Sequence, residues 1–317
     1  LAALKNVPDN DVGDVAARKL RAVNLATVLA TDLMAALDVP EGWTSWVEGP
    51  DERPRLEVAP VEVGDILRSS LWDKRTAVLT SATIPLGLAE RLGLQDGEAT
   101  ILDVGSPFDY EQHALLYCAA HLPDPREATF EAGVHDELEA LIRAAGGRTL
   151  ALFTSYRAMD AAVEALRTRL DTPVLSQRDL PKPALVAQFL ASEPTSLFAT
   201  MSFWQGIDVP GRTLSLVTID RLPFPRPDEP LLQAKRERAK AGAFATIDLP
   251  RAAMLLAQGT GRLIRSADDR GVVAVLDPRL AKSRSYRWIL LNALPPMRRT
   301  KERSEAEAFL RELTTEA

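Results

Sequence analysis

The sequence predicts an α/β protein built on a parallel sheet with helices on both faces, plus a smaller α+β segment at the N-terminus. Short runs rich in Val, Leu and Thr alternate with helical stretches over most of the chain. Runs that are apolar on both faces and alternate with helices are typical of a parallel sheet covered on both sides. The first 70 residues instead combine one long helical pattern with a loosely alternating hairpin.

The N-terminal elements follow from the spacing of apolar residues. Residues 13–38 carry apolar side chains at helical spacing, and Pro40 and Gly42 end that helix. Residues 43–49 and 53–63 alternate loosely and predict a hairpin. Residues 64–74 predict a short helix.

The rest of the chain predicts strands that alternate with helices. The predicted strands are residues 76–83, 101–105, 114–120, 148–155, 172–176, 195–200, 214–220 and 271–277. The predicted helices are residues 124–145, 157–170, 183–191 and 248–266. Right-handed crossovers bring the strand carboxyl ends to one edge, where open α/β sheets bind their ligands. The highly charged residues 298–317 predict a solvated helix or a frayed tail.

Composition narrows the class of protein. The chain has 317 residues, 46% apolar and 26% charged, which is typical of a soluble globular protein. No apolar run reaches the roughly 18 residues that a membrane helix needs, so no membrane is expected as a partner. The lone Cys118 cannot form a disulfide, a zinc site or an iron–sulfur cluster by itself, and we expect it to be an inert buried thiol. A reducing, cytoplasmic location follows as an expectation.

The spacing of the histidines and the net charge are less informative about the class of protein. His113, His121 and His135 lack metal-ligand spacing, so no metal site is expected in this chain. The net charge of −6 is unlike that of most nucleic-acid binders. Residues 251–303, however, carry 12 Lys and Arg against 4 Asp and Glu. Because arginine is abundant throughout the chain, this basic stretch alone decides little.

Polar clusters lie at the predicted strand ends. They are Thr80, Ser81 and Thr83; Thr154, Ser155 and Tyr156; Ser202; and Asp220 with Arg221. If a helix starts at Thr154–Ser155, its free N–H groups suit a phosphate, although the same pattern is equally a common helix N-cap.

The segment from Gln258 to Arg265 is the sharpest feature. On a helix, Gln258, Gly261, Arg262 and Arg265 share one face. Arginine suits phosphate because its planar fork donates two hydrogen bonds and stays charged, and it can stabilise charge that develops in phosphoryl transfer. The alternative is an amphipathic helix with exposed arginines.

A second candidate loop follows residue 202. Gly206 permits a tight turn, and Asp208 could hold a ribose, a metal-bound water or an arginine. The alternative is a turn rich in Gly and Pro, with Trp204 as a core aromatic residue.

Taken in order, these blocks resemble the C-terminal half of DinG/XPD-type superfamily-two helicases. The blocks are SATIP, SPFDY, LALFTSY, FWQGIDVPG, IDRLPFPRPDEP and QGTGRLIRSADDRGVVAVLDPRL, and the similarity covers roughly residues 43–290. The resemblance implies a RecA-like motor fold. It implies three domains: residues 1–70 as the end of an arch insertion, 71–105 as returning strands of a first motor domain, and 106–317 as the second motor domain.

The resemblance also implies residue roles. Coupling between nucleotide and strand falls to Thr80, Ser81 and Thr83. Strand binding falls to Thr154, Ser155, Tyr156, Ser202, Trp204 and Arg221. Nucleotide contacts fall to Gly206, Asp208 and Gly261, and Gln258, Arg262 and Arg265 would face the ATP γ-phosphate.

Two departures from the family pattern matter. Gln205 stands where the family usually has Glu, which puts an ion-pair role there in doubt. The chain also has no G-x-x-x-x-G-K-[ST] loop and no acidic metal-binding box, so ATP and Mg²⁺ would need an upstream half that could also hold a 4Fe–4S cluster. We therefore expect this chain alone not to hydrolyse ATP.

The function expected from the resemblance is an ATP-dependent DNA helicase that translocates on single-stranded DNA in repair or replication. Expected partners are single-stranded or forked DNA and the missing N-terminal motor domain, and the protein is expected to be monomeric. Three alternatives stay open: a regulatory or nucleic-acid-binding module without ATPase activity, a nuclease-linked relative, and a small-molecule-binding α/β domain. The sequence does not distinguish DNA from RNA.

Overall fold

The computed structural model describes residues 13–81, 87–200, 203 and 213–315, with side chains from residue 15. The chain divides into two compact units. The smaller comprises residues 1–80, 86–100 and 226–247, and the larger comprises residues 81–85, 101–225 and 248–317. The predicted three-domain division remains a prediction.

The helices and strands are labelled in chain order. The helices are α1 (Gly13–Leu37), α2 (Gly64–Leu67), α3 (Leu88–Arg91), α4 (Tyr110–His113), α5 (Phe130–Ala144), α6 (Tyr156–Leu166), α7 (Lys182–Ala191), α8 (Pro230–Ala239), α9 (Leu249–Thr260), α10 (Arg279–Lys282), α11 (Arg287–Asn292) and α12 (Arg303–Thr315). The strands are β1 (Trp43–Glu48), β2 (Arg55–Pro60), β3 (Ala114–Cys118), β4 (Thr149–Phe153), β5 (Val174–Ser176), β6 (Ser196–Thr200), β7 (Leu216–Ile219), β8 (Gly271–Val275) and β9 (Arg298–Thr300).

A parallel sheet forms the centre of the larger unit. Within the described residues it has seven strands in the order β5-β6-β4-β7-β8-β3-β9, and every pairing is parallel. Every residue of β3, β4, β6, β7 and β8 is buried, as their two-sided apolar runs predict. The predicted α/β fold is therefore confirmed.

Helices cover both faces of this sheet. On one face, α7, α9 and α11 contribute Phe189, Leu256 and Leu290 to the core. On the other face, α5, α6 and α12 contribute Leu138, Met159 and Leu310. Because helices cover both faces, ligands can approach the sheet at the ends of its strands. The carboxyl ends of the strands are called the carboxyl edge of the sheet, and the amino ends are called the amino edge.

The prediction of a solvated or frayed C-terminal stretch is wrong. Residues 298–300 form the edge strand β9 beside β3. Helix α12 buries Ala306, Phe309 and Leu310 against the sheet. Three apolar residues at spacings of three, one and four are enough to hold a helix whose other positions are charged.

The smaller unit contains the predicted hairpin. Strands β1 and β2 pair antiparallel, with Trp43 opposite Pro60 and Glu48 opposite Arg55. Nearby, Gly64 and Gly93 approach so closely that a Cβ on Gly64 would lie 2.9 Å from the Gly93 Cα. The Arg68 guanidinium fixes this contact by donating to Glu98 at 2.7 Å and 3.1 Å.

Two predicted strands do not form. Residues 76–81 and 101–105 have no strand among the described residues. Their large apolar side chains are more than half exposed: Val78, Leu79, Ile101, Leu102 and Val104. A strand needs a neighbour for its backbone hydrogen bonds and cover for its faces, and the described chain supplies neither here.

The expectation that no segment suits a membrane span by length and composition is also wrong. Residues Val15–Leu37 of α1 form a 23-residue helical span with a mean hydropathy of 1.4 over its most apolar window, none of it buried. After Lys19, only Arg21 and Asp32 are charged within it. Length and composition are the only features that point to a membrane here.

Candidate functional site

A buried carboxylate connects two neighbouring strands at the carboxyl edge of the sheet. Asp220 follows β7, is 4% exposed, and accepts a hydrogen bond from the Thr154 backbone N–H at 2.8 Å. The Thr154 hydroxyl donates to the same carboxylate at 3.3 Å. Thr154 follows the adjacent strand β4, so Asp220 fixes the loop in which the sequence predicts a phosphate contact.

Burial changes the protonation of this aspartate. Burial raises the pKa of Asp220 to about 6, and the N–H of Thr154 and the charge of Arg221 oppose the rise. Loss of hydration disfavours the ionised carboxylate, while donors favour it. The residue therefore titrates between mildly acidic and neutral pH.

A second buried aspartate continues the row to β8. Asp277 is fully buried and accepts from the Leu222 backbone N–H at 2.9 Å. Its two oxygens also accept from Nε and Nη of Arg279, at 2.9 Å and 2.6 Å. Carboxylates thus join the ends of β4, β7 and β8. The sequence analysis did not name Asp277, although this residue follows a strand and precedes a proline.

Ser155 starts the helix after β4. Its hydroxyl accepts from the Ala158 backbone N–H at 3.2 Å, so it is the N-cap of α6. Ser155 itself is exposed and Thr154 is half-buried beside it. The remaining N–H groups of the first turn of α6 give this edge a partial positive charge, which suits a backbone phosphate.

Tyr156 belongs to a small polar cluster with two residues that the sequence analysis missed. Its hydroxyl accepts from the Gln177 side chain at 2.9 Å, and the Arg178 guanidinium lies 4.7 Å from its ring centroid. The Gln177 oxygen accepts from the backbone and hydroxyl of Thr200, at 2.7 Å and 2.8 Å. Gln177 therefore connects the ends of β5 and β6, and no local pattern in the sequence marks it.

Arg221 lies at the same edge and points toward α5. Its guanidinium carbon lies 4.8 Å from the Phe130 ring centroid. The structure thus brings together four residues predicted to bind a strand: Thr154, Ser155, Tyr156 and Arg221. Ser202 and Trp204 lie outside the described residues.

The prediction that one helix spans Gln258 to Arg265 is wrong. Helix α9 ends at Thr260, and Gly261 is its C-cap. Arg262 and Arg265 lie in the loop beyond it. The glycines at 259 and 261 weaken the helix at this point, since each disfavours helix by about 1 kcal/mol relative to Ala. Gln258 is thus on the helix and both arginines are on the loop.

Asp269 fixes the arginine loop. This buried side chain accepts from the backbone N–H groups of Arg265 at 2.7 Å and Ser266 at 2.8 Å. The loop leads directly into β8 at Gly271, where a Cβ would lie 2.3 Å from the Ser215 carbonyl oxygen and 2.7 Å from Leu263 Cδ1. The arginine loop therefore lies at the amino edge of the sheet, opposite to Thr154 and Asp220.

Gln258 has an unusual environment for a polar side chain. Its Oε1 atom is buried and has no hydrogen-bond partner among the described residues. Buried polar atoms are nearly always satisfied. A donor that the described chain does not supply is therefore expected beside Gln258.

The other predicted site residues are less informative. Thr80 and Ser81 lie in an exposed irregular segment. Thr83, Gly206 and Asp208 lie outside the described residues, as does Gln205. Among the described residues, no three His, Cys, Asp or Glu side chains are grouped to hold a metal. Cys118 is buried, and burial raises the pKa of its thiol to about 11.

One further charged cluster lies outside the predicted site, at the ends of β3 and β9. Glu137 is 1% exposed, and the Tyr117 hydroxyl donates to its carboxylate. His121 Nε2 and an Arg303 guanidinium nitrogen each lie 3.2 Å from its other oxygen. Burial and the Glu137 carboxylate both raise the pKa of Tyr117. This cluster ties α5 to the start of α12.

The chain is similar to known helicases. A family model described as helicase C-terminal domain matches residues 138–297. The ATP-dependent helicase DinG of Mycobacterium tuberculosis is 50% identical over 84% of this chain and 42% of its own length. The ATP-dependent DNA helicase YoaA of Escherichia coli is 38% identical over 90% of this chain and 46% of its own length. The chain spans less than half the length of these relatives.

Two further similarities extend the comparison. A solved structure titled XPD helicase superposes with a TM-score of 0.63 at 17% identity, over 93% of this chain and 56% of that chain. A Bacillus subtilis relative named 3′-5′ exonuclease DinG is 31% identical over 79% of this chain and 29% of its own length. The superposition agrees with a RecA-like helicase fold.

Proposed function

The chain belongs to the helicase C-terminal domain family, as the C-terminal half of a DinG/XPD-type helicase, and from this premise we propose that it is one half of an ATP-driven motor for single-stranded DNA. The relatives named above as an ATP-dependent helicase and an ATP-dependent DNA helicase support this activity. In the proposed enzyme the chain would contact the DNA strand at one sheet edge and the nucleotide at the other.

The observation that carries the proposal is the placement of two polar loops at opposite edges of one rigid sheet. Thr154 and Ser155 lie at the carboxyl edge, with Asp220 as their support. Arg262 and Arg265 lie on the loop at the amino edge, with Asp269 as its support. A motor must couple a nucleotide site to a strand site, and a buried sheet can move both as one body.

The amino edge suits a polyphosphate. The unsatisfied Gln258 amide oxygen and two neighbouring arginines form a set of polar groups that a nucleotide with its bound water would complete. ATP would supply the phosphoryl-transfer chemistry when bound. Arg262 and Arg265 would stabilise negative charge on the phosphates, as arginine fingers do. Magnesium and the phosphate cradle would come from the upstream half, which could also hold an iron–sulfur cluster.

The carboxyl edge suits a sugar–phosphate backbone. The Thr154 hydroxyl, the first turn of α6 and the Arg178–Tyr156 pair present donors and an aromatic ring without reading base edges. Binding there would be weakened by salt and would tolerate any sequence. We further propose that the enzyme is a cytoplasmic monomer that acts on single-stranded or forked DNA during repair or replication.

The test is ATP hydrolysis, with and without single-stranded DNA, by two proteins. One is this chain alone, and the other is the chain joined to its nucleotide-binding half. We expect turnover only in the joined protein, with stimulation by DNA. Turnover by this chain alone would contradict the proposed location of the nucleotide site. DNA binding without turnover in either protein would favour a regulatory module instead.

A further inference from the structure

The segment Pro278–Lys301 follows β8 and ends at β9. It carries seven Lys and Arg residues and no Asp or Glu, in a chain whose net charge is −6. The proposed motor does not use this segment. Its first basic residue, Arg279, is neutralised by the buried Asp277, but the others extend beyond that pair.

The middle of the segment exposes an aromatic ring among these charges. Trp288 is 54% exposed, and Ile289 beside it is 52% exposed. The Arg287 guanidinium lies 5.0 Å from the Trp288 ring centroid. Arg284 is exposed and forms no ion pair with any residue in the described part of the chain. Trp288 and Ile289 thus expose adjoining apolar surface beside hydrated arginines, an arrangement that suits a ligand with both flat rings and negative charges.

Contacts within the larger unit hold this segment at the carboxyl edge. The Phe224 and Tyr286 rings meet edge to face at 5.6 Å, and Phe224 follows the end of β7. The Lys282 ammonium donates to the Leu122 carbonyl oxygen at 3.4 Å, just beyond the end of β3. The first part of the segment, as far as Tyr286, is therefore anchored at the same edge as Thr154 and Asp220.

We propose that Lys282, Arg284, Arg287 and Trp288 form a second binding surface for the nucleic-acid strand, on which a base stacks against Trp288 while the cations contact phosphates. This inference rests on the proposed function and adds a specific extension of the strand path. For clarity, these four residues are called the Trp288 surface.

Charge and geometry favour a nucleic acid as the occupant. A surface with cations and no acidic residue in its segment complements a polyanion. Bases stack on exposed aromatic rings regardless of sequence. The ends of β4 and β8 are two strand spacings apart, or about 10 Å, a distance that roughly three stacked nucleotides span. A strand bound at Thr154 can therefore continue to the Trp288 surface.

The test uses the joined protein and a fluorescent dT oligonucleotide of about 30 residues, with affinity read by anisotropy. Trp288→Ala should weaken binding roughly 5- to 100-fold, the range for loss of one stacked base. Trp288→Phe should restore most of that loss, because phenylalanine keeps a stacking face. Equal losses in both variants would overturn the stacking role.

Charge is tested separately through salt dependence. Arg284→Glu should lower the slope of log K against log salt by about 0.7 or more, the contribution of one phosphate contact on a single strand. Arg53→Glu is the matched control, since Arg53 is an exposed arginine in the β1–β2 turn of the smaller unit. An unchanged slope in the Arg284 variant would overturn the proposal.

The competing occupant is a protein surface from the upstream half. If Trp288 were covered there, Trp288→Ala would lower the thermal midpoint of the joined protein and leave strand affinity unchanged, and this result would overturn the inference. Failure of the proposed function has a different signature: the unaltered joined protein would bind the oligonucleotide but show no ATP turnover. The experiments can therefore refute the Trp288 surface without refuting the proposed motor function, and they can refute the motor function without refuting the Trp288 surface.

Discussion

Asp220 and Thr154 join β7 to β4 through a 2.8 Å hydrogen bond from a backbone N–H to a buried carboxylate. The partner atom is a main-chain group, so almost any residue at 154 would keep the bond. The aspartate is therefore the element that fixes the loop, and the 3.3 Å hydrogen bond from the Thr154 hydroxyl to the same carboxylate is a longer one that a phosphate can replace.

The first prediction concerns pH. The folded state raises the pKa of Asp220 to about 6 from its ordinary value of 3.8, so it binds the proton more tightly than the unfolded chain does. Its contribution to the free energy of unfolding therefore falls as pH rises from about 4 to about 6 and is constant above that. The full change is roughly 3 kcal/mol. Asp220→Asn should remove it, because asparagine can still accept from Thr154.

Urea unfolding at pH 4.5 and pH 7 measures this effect as a difference between variant and parent. We expect Asp220→Asn to gain stability relative to the parent on going to pH 7. Asp268→Asn, at an exposed aspartate, should show the same difference at both pH values. A pH-independent difference for Asp220→Asn would contradict the prediction.

The second prediction concerns the threonine hydroxyl. Thr154→Val keeps the backbone hydrogen bond to Asp220 and removes the side-chain donor. We expect weaker binding of single-stranded DNA by the joined protein, with a smaller change in ATP turnover at saturating DNA. Ser155→Ala is a useful comparison, since loss of an N-cap costs about 1 kcal/mol of helix stability. Unchanged strand affinity in Thr154→Val would refute a phosphate contact there.

The third prediction concerns the arginine loop. Arg262→Ala should lower ATP turnover of the joined protein on the order of 10³-fold, as loss of an arginine finger can. Single-strand affinity should be nearly unchanged, because the loop lies at the opposite sheet edge. Steady-state turnover and oligonucleotide anisotropy on the same preparation decide the matter. Lost strand binding with retained turnover would reverse the assignment of the two edges.

The fourth prediction concerns the support of that loop. Asp269→Ala removes the acceptor for the backbone N–H groups of Arg265 and Ser266. We expect lower ATP turnover, on the order of 10-fold or more, because a misplaced catalytic group is costly. The matched control is Asp268→Ala, one residue earlier and exposed. Equal effects of the two variants would show that Asp269 does not position the arginines.

The fifth prediction concerns Glu137. Glu137→Ala removes a buried acceptor from the Tyr117 hydroxyl and the ion pair with Arg303. Breaking a buried pair destabilises by about 3–5 kcal/mol, and since Arg303 can rehydrate we expect the lower end. Glu139→Ala, whose partners Arg143 and Arg169 are both about half exposed, should change stability by less than about 1 kcal/mol. Denaturant midpoints of the two variants provide the comparison.

Sequence patterns predicted the sheet because buried parallel strands are apolar on both faces, a property that each strand shows by itself. They missed β9, since a three-residue edge strand with Arg298 and Arg299 exposed has no such run. They also placed strands at residues 76–83 and 101–105, where the apolar pattern is right but no neighbouring strand is supplied by the described chain. An apolar pattern indicates that a segment can form a strand, but the strand forms only where a neighbouring strand is available to pair with it.

For the candidate site, the sequence named the residues that we propose to contact ligands, but it did not name most of the residues that hold them in place. Thr154 and Ser155 belong to a recognisable strand-end pattern and do lie beside each other. Gln177, Asp269 and Asp277 act through tertiary hydrogen bonds that join distant segments, and no local spacing records such contacts. The helix across Gln258 to Arg265 was extended too far because periodicity outweighed two glycines.

The exposed apolar segments at residues 76–81 and 101–105 have a practical consequence for handling this protein. Unpaired apolar stretches of this kind, in which Asp103 is the one charged residue, can add strands to other copies, which is the route to aggregation. When the chain is produced alone, its yield should fall with rising concentration and temperature. Co-production with the nucleotide-binding half, or a charged replacement at Val78 and Val104, should keep it in solution.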